Sequence, residues 1–437
     1  MSFLSAPSGF FRKAILSFTF RFGGLGLQFL TSVVIARILG VEAFGAYTYA
    51  FTWASIIGMM LTLGMSDLAV RELPLYLSQG RIAHLRGYLL TACGVIALTT
   101  TMTALILLSL QNTGILELAP GWLLVSLMAG LHALILILSQ SLNGFQRILT
   151  SQFIETIIRQ LLYILLIAAA FVIGVMLSPK LLLQLALLGA LPVIIIMSFI
   201  VYRSIRAAAA AQALPPAPRA YEFRVWFAAA IPLLMTNFAQ IMQSDLDTLM
   251  VGFLLTDADV GLYRVAARGA ILVSIANMVA LQLVGPMLSR AIAQNDENAA
   301  QKLLTNAAVV SFLAGAALCL VFGIGAGLYT SLFGPEFSEA ARPLQLLLIG
   351  QFLHVLVGPS ALLLVMLRYE RRVLIVNAIA VGMNFVLNLT LIGPLGIEGA
   401  AIATVSAATF SAISFLIIVK SRTQYDPTIW SLLRRAQ

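Results

Sequence analysis

The chain has 437 residues, of which 61% are hydrophobic and 10% are charged, and its formal net charge is +9. Soluble domains average about a quarter charged residues, so this composition excludes a soluble globular protein and leaves no room for a catalytic domain outside a membrane. Because no basic domain carries the positive charge, it does not predict nucleic-acid binding.

Apolar segments long enough to cross a bilayer follow one another along the whole chain. We place twelve of them, at 14–36, 43–66, 87–110, 118–142, 153–177, 181–202, 226–255, 260–286, 303–331, 343–367, 372–392 and 396–419. In lipid every backbone polar group must be satisfied within the protein, and helices achieve this one segment at a time. The predicted fold class is therefore an all-α polytopic membrane protein.

The positions of Lys and Arg predict the orientation of these segments. Basic residues cluster before the first segment and after every second one, whereas the alternate connections hold only Arg37, Lys180 and Arg342. Cytoplasmic loops are enriched in Lys and Arg. Both termini are thus predicted to be cytoplasmic, and the net charge of +9 is a topology signal.

The chain is predicted to consist of two halves. The connection RSIRAAAAAQALPPAPRAYEFR is the longest and richest in proline, and FGAY at 44–47 is echoed half a chain later by VGLY at 260–263. Weak internal symmetry of this kind is typical of transporters. We predict two six-helix lobes related by a pseudo-two-fold axis along the membrane normal, with a substrate cavity at their interface. The predicted parts are an N-terminal lobe (1–203), a cytoplasmic linker (204–225), a C-terminal lobe (226–420) and a cytoplasmic interfacial tail (421–437).

Charged residues inside the first, seventh and eighth segments are the main candidates for function. Asp245 and Asp247 precede the turn between the seventh and eighth segments, and Arg264 and Arg268 follow it at similar depth, while Arg21 lies about two turns into the first segment. An ionisable residue inside a bilayer costs at least ~2.5–3.5 kcal/mol, so it faces a partner or a wet cavity.

Two interpretations of these arginines remain open. Guanidinium groups bind phosphate oxygens in pairs and stay charged, which predicts that Arg21, Arg264 and Arg268 bind an anionic, phosphorylated substrate. Alternatively, Asp245 or Asp247 simply neutralises an arginine across the hairpin. Either aspartate could also titrate and couple transport to an ion gradient. The D-x-D spacing does not predict a glycosyltransferase metal site, because residues two apart on a helix point away from each other.

The eleventh segment carries a polar stripe formed by Asn377, Asn384 and Asn388. Asn384 and Asn388 are candidates for substrate binding through sugar hydroxyls. Hydrogen bonding between helices is the more common use of such a stripe, and the pattern favours it.

Two acid–base pairs four residues apart lie at predicted cytoplasmic helix ends. They are Asp67 with Arg71 and Glu155 with Arg159. Pairs of this kind often only support a helix end, contributing ~0.3–0.5 kcal/mol. The alternative is a cytoplasmic gate whose ion pairs break and re-form as the lobes move.

No pattern in the sequence predicts catalysis or a cofactor. There is no phosphate-binding glycine loop, zinc-protease helix or serine-nucleophile motif, and Cys93 and Cys319 lie far apart in separate apolar runs. No catalytic residue, metal site or cofactor is expected, so an ion gradient or the downhill flux of the substrate must supply the energy.

Six strings along the chain carry a family resemblance: ARILGVEAFGAY (36–47), LTLGMSDLAVRE (61–72), IPLLMTNFAQIMQSDLDTLMVG, VGLYRVA, LFGPEFSEAARPLQLL and NFVLNLTLIGPLGIEGAAIAT (384–404). They resemble the bacterial oligosaccharide flippases, the O-antigen and polysaccharide translocases of the multidrug/oligosaccharidyl-lipid/polysaccharide exporter superfamily. Each string alone is weak, but together they cover nearly the whole chain.

The resemblance implies a bacterial inner-membrane protein that moves oligosaccharide linked to undecaprenyl diphosphate to the periplasmic leaflet by alternating access, as in O-antigen and lipopolysaccharide synthesis. It implies that Arg21, Arg264 and Arg268 hold the diphosphate, and that membrane lipids and glycan polymerase machinery are partners. The peptidoglycan-precursor flippases of the superfamily usually have two more C-terminal segments, so that branch is not expected.

Two other functions are alternatives to this one. An ion-coupled antiporter of drugs or other cations would favour acids and aromatic residues in the cavity, whereas three arginines favour an anionic cargo. A membrane-embedded glycan polymerase or ligase would place functional residues in a large periplasmic loop, and every predicted outer loop is short.

Overall fold

The computed structural model describes residues 8–112, 121–211 and 219–431. Its helices are α1 (Ser8–Leu61), α2 (Met65–Ser78), α3 (Ile82–Asn112), α4 (Trp122–Gly144), α5 (Ile148–Gln152), α6 (Arg159–Val172), α7 (Pro179–Ala211), α8 (Phe223–Leu254), α9 (Asp257–Ala293), α10 (Glu297–Ile324), α11 (Ala326–Ser331), α12 (Ala341–Val357), α13 (Ser360–Met366) and α14 (Glu370–Arg422). A π-helix (Phe153–Ile158) joins α5 to α6, and a 3-10 helix (Pro335–Ala340) precedes α12. These three ranges contain no strand, which confirms the all-α class.

Nine helical stretches of the described residues are long and apolar enough to cross a membrane. Two of them, Leu16–Leu61 and Glu370–Arg422, are far longer than the roughly 20 residues that one crossing needs. Each is interrupted by a glycine with non-helical backbone, Gly40 (φ 76°) and Gly396 (φ 59°). The protein is therefore a multi-pass membrane protein, and the number twelve stays a prediction.

Some helix boundaries differ from the predicted segments for local reasons. The second segment breaks at Leu63 and Gly64, which both have a left-handed backbone, so α1 ends at Leu61 and α2 begins at Met65. The tenth segment breaks at Gly358, which has a φ of 72° and is followed by Pro359. The segment is therefore divided into α12 and α13. Proline has no N–H to continue the helical hydrogen bonds.

The chain separates into two compact units. The first comprises Met1–Leu39 and Ala46–Ile241, and the second comprises Gly40–Gly45 and Met242–Gln437. The division within α8 falls later than the predicted linker, of which residues 212–218 lie outside the described ranges. The predicted lobes stay a prediction.

In the first unit, the beginning of α8 packs against the helices that precede it in the chain. The buried Trp226 donates from Nε1 to the hydroxyl of Tyr76 at 2.7 Å, and Gly64 lies against the backbone of Ala230, where a Cβ would come within 2.1 Å of the carbonyl oxygen. This packing explains why residues up to Ile241 belong to the first unit.

The second unit has its own apolar core, which includes Leu288, Leu304, Leu363, Phe415 and Val419. The chain after α14 packs at its edge.

Gln301 exchanges two hydrogen bonds with the backbone of Asp426, at 2.7 and 2.9 Å. The last residues of the predicted cytoplasmic interfacial tail, 432–437, lie outside the described residues.

Also within the second unit, the segment Gly40–Gly45 packs against the start of α9 through two glycines. A Cβ on Gly45 would lie 1.7 Å from the carbonyl oxygen of Asp257, and a Cβ on Gly261 would lie 2.5 Å from that of Val41. Phe44 packs edge-on against Phe337 at 5.7 Å. Gly45 and Gly261 are the corresponding glycines of the two sequence echoes, so the repeated motif serves a backbone-to-backbone contact.

Replacing Gly45 with Ala should destabilise the protein by several kcal/mol, because two backbone segments must separate to admit one methyl group. The matched control is Gly94→Ala in α3, where a Cβ would meet nothing within 4 Å. There the substitution should be neutral or stabilising by about 0.4–1 kcal/mol. Thermal unfolding of the two variants in the same detergent measures the difference, and equal midpoints would contradict the contact.

Candidate functional site

The candidate site lies where α8 and α9 meet in the second unit. A capping box at Thr256 begins α9, since its side chain accepts from the N–H of Asp259 and the Asp259 carboxylate accepts from the N–H of Thr256 at 3.1 Å. The turn between the helices is consequently short. It brings Arg264 to Asp245, with Nη1 and Oδ1 2.8 Å apart.

Asp247 lies two residues from Asp245 but has entirely different partners. Its Oδ1 accepts from the side-chain amides of Asn384 at 2.9 Å and Asn388 at 2.7 Å. Its Oδ2 accepts from the hydroxyls of Tyr263 at 3.0 Å and Thr404 at 2.6 Å. The side chain is only 7% exposed.

Four neutral donors therefore hold this carboxylate. None of the ion pairs among the described residues includes Asp247. Hydrogen bonds to a charged acceptor are about twice as strong as neutral ones, so these four donors supply the polar contacts that a buried carboxylate needs.

The polar stripe of α14 thus forms hydrogen bonds between helices, the use that the sequence pattern favoured. Asn388 is fully buried and also donates to Oδ1 of Asn384 at 3.0 Å. Among the described residues, Oδ1 of Asn388 has no hydrogen-bond donor. The cluster consequently combines a carboxylate, two hydroxyls and one amide oxygen that accepts nothing.

The Arg264 guanidinium is only partly satisfied by Asp245. Its side chain is 20% exposed, and its Nε is buried with no acceptor among the described residues. One turn further along α9, Arg268 is half-buried. The two arginines thus lie on one helix in the second unit, whereas Arg21 is exposed on α1 in the first unit.

The predicted pair of Asp67 with Arg71 does not form. Arg71 binds the neighbouring Glu72 at 2.9 Å, and Asp67 accepts from Ser66 and from the amide of Asn237. The prediction was wrong because each residue has another partner than the one a turn away. Arg71 pairs with Glu72, the next residue in the chain, and Asp67 binds Asn237 of α8.

The pair of Glu155 with Arg159 is also absent from the ion pairs of the described residues. Glu155 lies in the π-helix and accepts from the hydroxyl of Ser139. A π-helical turn is wider than an α-helical one, so residues four apart no longer share a face. Three of the four side chains that were candidates for a gate, Asp67, Arg71 and Glu155, therefore bind other partners in this structure.

Sequence reasoning missed Tyr263 and Thr404, which complete the cluster around Asp247. Tyr263 belongs to the VGLY echo, whose counterpart Tyr47 accepts from Tyr163 at 3.1 Å. A tyrosine repeated at corresponding positions was the available signal. Thr404 follows a run of small residues in α14, and nothing in its local pattern indicates a polar role. Within the described residues, no group of His, Cys, Asp and Glu side chains could hold a metal ion.

A model of the family described as "Polysaccharide biosynthesis protein" matches residues 10–292 of this chain. Among characterised sequences, the chain is similar to a probable low-salt glycan biosynthesis flippase of Haloferax volcanii, with 26% identity over 177 residues. That alignment covers 39% of this chain and only 36% of the relative.

Two solved structures share the fold across nearly the whole chain. The lipid II flippase MurJ, in an inward closed conformation, superposes with a TM-score of 0.71 at 16% identity, covering 93% of this chain and 87% of the other. A multidrug resistance MATE family transporter of the MOP superfamily, facing inward, gives 0.69 at 12% identity, covering 94% and 96%. At these identities the likeness concerns the fold alone.

Replacing Asp247 with Ala should lower the free energy of unfolding more than replacing Asp245 with Ala. The first variant leaves four donors without their acceptor in a buried cluster, at about 1–3 kcal/mol for each buried group left unpaired. The second leaves one arginine whose side chain is already 20% exposed. Thermal unfolding in detergent compares the two, and an equal or larger loss for Asp245→Ala would contradict the assigned partners.

Proposed function

The chain belongs to the polysaccharide biosynthesis protein family, and we propose that it is a flippase of that family. Its proposed substrate is an oligosaccharide linked to a polyprenyl diphosphate, as in undecaprenyl diphosphate, and its route runs from the cytoplasmic to the periplasmic leaflet of a bacterial inner membrane. The observation that carries this proposal is the partly satisfied guanidinium of Arg264, with Arg268 one turn away on the same helix. The activity makes and breaks no covalent bond.

The helices support twelve crossings with both termini in the cytoplasm. Dividing Leu16–Leu61 at Gly40 and Glu370–Arg422 at Gly396 turns nine apolar stretches into eleven. Helix α9 is long enough for another crossing, with 37 residues. Its buried charges lower its hydropathy, and such charges are expected where a helix borders a wet chamber.

The arginines support an anionic cargo. A diphosphate offers several oxygens to a guanidinium fork, and one carboxylate leaves part of that fork unused. In the proposed cycle Arg264 exchanges Asp245 for the diphosphate, with Arg268 and Arg21 as further binding residues. Alternating access carries the sugar–diphosphate head through a cavity while the polyprenyl tail stays in lipid. A glycan polymerase that consumes the translocated units is the expected partner.

The Asp247 cluster supports coupling to a cation or a proton. A buried carboxylate together with an amide oxygen that lacks a donor is a set of oxygen ligands, which suits a hard cation. Alternatively, the carboxylate could take up a proton. In this proposal the Asp247 cluster and the arginines have separate roles. Asp247 accepts hydrogen bonds from residues of α9 and α14, whereas Asp245 forms an ion pair with Arg264.

The buried carboxylate also supports a second candidate, an ion-coupled drug or cation antiporter with the same fold. The two candidates require different residues. An antiporter needs Asp247 and tolerates loss of the arginines, whereas the flippase needs both. A glycan polymerase or ligase remains the least supported alternative.

Replacing Arg21, Arg264 or Arg268 singly with Ala should reduce surface glycan about tenfold or more and accumulate lipid-linked units inside the cell. Each hydrogen bond to a charged phosphate contributes about 1.5–3 kcal/mol, which corresponds to roughly ten- to hundredfold in binding. Glycan on the cell surface and extracted lipid-linked oligosaccharide are measured in the native host, with the amount of protein in the membrane checked for each variant.

The matched control for these variants is Arg342→Ala. Arg342 pairs with Glu398 at 3.3 Å and is 75% exposed, so its loss should leave glycan display normal. Normal display in all three test variants would defeat the assignment of the arginines. Drug resistance that depends on Asp247 but not on the arginines would favour the antiporter.

Cation binding at Asp247 should appear as stabilisation of the wild-type protein. At a hundredfold excess of cation over its Kd, stability rises by about 2.7 kcal/mol. Thermal midpoints are compared in sodium chloride and choline chloride at equal ionic strength over a series of pH values. A response to sodium indicates a sodium ion, and a response to pH alone indicates a proton.

Thr404→Val should abolish this response, because it removes one oxygen and leaves the carboxylate in place. Asp245→Asn is the control and should keep the response. The coupling proposal would be contradicted if the thermal midpoint of the wild-type protein changed with neither sodium nor pH. It would also be contradicted if the midpoint of Thr404→Val changed as much as that of the wild-type protein.

A further inference from the structure

A second charged feature lies in the first unit, and its lining includes none of the residues proposed to bind the diphosphate or to form the Asp247 cluster. A cavity of about 890 Å³ opens between α3 and α7, beside the residues that precede α8. Its lining includes Arg86, Arg206 and Arg219, together with Tyr202 and Tyr221. We call it the arginine cleft.

The cleft has a fixed wall, because the chain before α8 packs tightly on α3. The N–H of Ala220 donates to the carbonyl oxygen of Ala83 at 3.2 Å, and a Cβ on Gly87 would lie 1.9 Å from the carbonyl oxygen of Ala220. Glycine at position 87 therefore permits this contact. It holds Arg219 and Tyr221, the neighbours of Ala220, at the edge of the cleft.

Glu222, the acid next in sequence to Tyr221, is already paired with other residues. Glu222 binds Arg81 at 2.5 Å and lies 3.4 Å from His84. Burial tends to raise the pKa of Glu222, but the hydrogen bond and charge of Arg81 outweigh burial and lower it, so this carboxylate stays ionised and paired. None of the ion pairs of the described residues includes an arginine of the cleft.

The cleft continues into an apolar groove that has a volume of about 730 Å³. The two share Cys93, and the groove then follows α3 to Thr101, a distance of about 12 Å at 1.5 Å per residue. Leucines of α4 and α7 line the rest of it. Its rim on α7 is exposed, with Leu188 at 52% and Leu191 at 46%.

We propose that the arginine cleft and this groove together bind one anionic glycerophospholipid of the surrounding leaflet. The three guanidinium groups hold its phosphate, and one acyl chain lies along the groove. Basic pockets between membrane helices on the cytoplasmic side are suited to anionic head groups. Arg206 stacks over Tyr202 at 5.6 Å, which keeps this cation at the rim where a lipid phosphate would lie.

The apolar half of the site argues for a lipid over a free phosphate, because only a lipid buries its chain there. The position argues for a resident lipid over the cargo. Leu188 and Leu191 at the rim of the groove are exposed apolar side chains that acyl chains of the bilayer would cover, and none of the arginines proposed to hold the diphosphate lines either cavity.

The test is native mass spectrometry of the full chain in detergent, titrated with dioleoyl phosphatidylglycerol or dioleoyl phosphatidylcholine. The wild-type protein should retain one phosphatidylglycerol with at least tenfold preference. The variant R86Q/R206Q/R219Q should lose that preference, since each cation near a lipid phosphate contributes about a fivefold effect. Equal retention of both lipids by the wild-type protein, or an unchanged preference in the variant, would overturn the proposal.

The matched control is R147Q/R203Q/R224Q, which removes three arginines of the same unit that line neither cavity. It should keep the preference, and a loss there equal to that of the test variant would show a general effect of charge and overturn the site. Ala97→Trp fills the groove and should weaken retention of phosphatidylglycerol without touching the arginines. Unchanged retention in that variant, together with full competition by inorganic phosphate, would reduce the site to a phosphate site.

One further competition separates the lipid from the cargo. Undecaprenyl diphosphate added at a concentration equal to that of phosphatidylglycerol should leave the bound phospholipid in place. Its complete displacement would assign the groove to the cargo and overturn the proposal for a resident lipid. Because the arginines of the diphosphate site are untouched in every variant here, neither proposal's failure decides the other.

Discussion

A charged side chain that enters hydrocarbon must find polar partners within the protein, and this constraint shapes the second unit. Asp247 meets it with four neutral donors from α9 and α14, so a buried carboxylate fastens two helices together. Arg264 meets it incompletely, with one carboxylate and a side chain that is 20% exposed. A fully satisfied charge stabilises the fold, whereas a partly satisfied one retains free energy for a ligand. The difference between the two aspartates is therefore the physical basis for giving them different roles.

The sequence predicted features that depend only on regular helix geometry. The rise per residue placed Asp245 and Arg264 at one depth, and they form an ion pair at 2.8 Å. The spacing of Asn384 and Asn388 predicted one polar face, and both amides reach the same carboxylate oxygen. Composition and the recurring apolar segments together predicted the all-α membrane class.

Sequence reasoning failed where the helices depart from regularity or where partners come from distant parts of the chain. The π-helix places Glu155 and Arg159 on different faces, although they lie four residues apart. The left-handed backbone at Gly64 ends a helix inside a segment that is apolar on both sides of the break. Thr404 lies 157 residues from Asp247, so no local pattern could join them. The division of α8 after Ile241 likewise depends on packing that the linker's composition does not reveal.

The central claim is that Arg264 keeps binding capacity for a diphosphate, and affinity for the bare lipid carrier tests it most directly. Binding of undecaprenyl diphosphate and undecaprenyl phosphate to the purified wild-type protein and to Arg264→Lys is measured by titration. Lysine keeps the charge but loses the planar fork, so the account predicts that the variant binds the diphosphate about tenfold or more weakly and the monophosphate with a smaller loss. Equal affinity of both proteins for the diphosphate would contradict the claim.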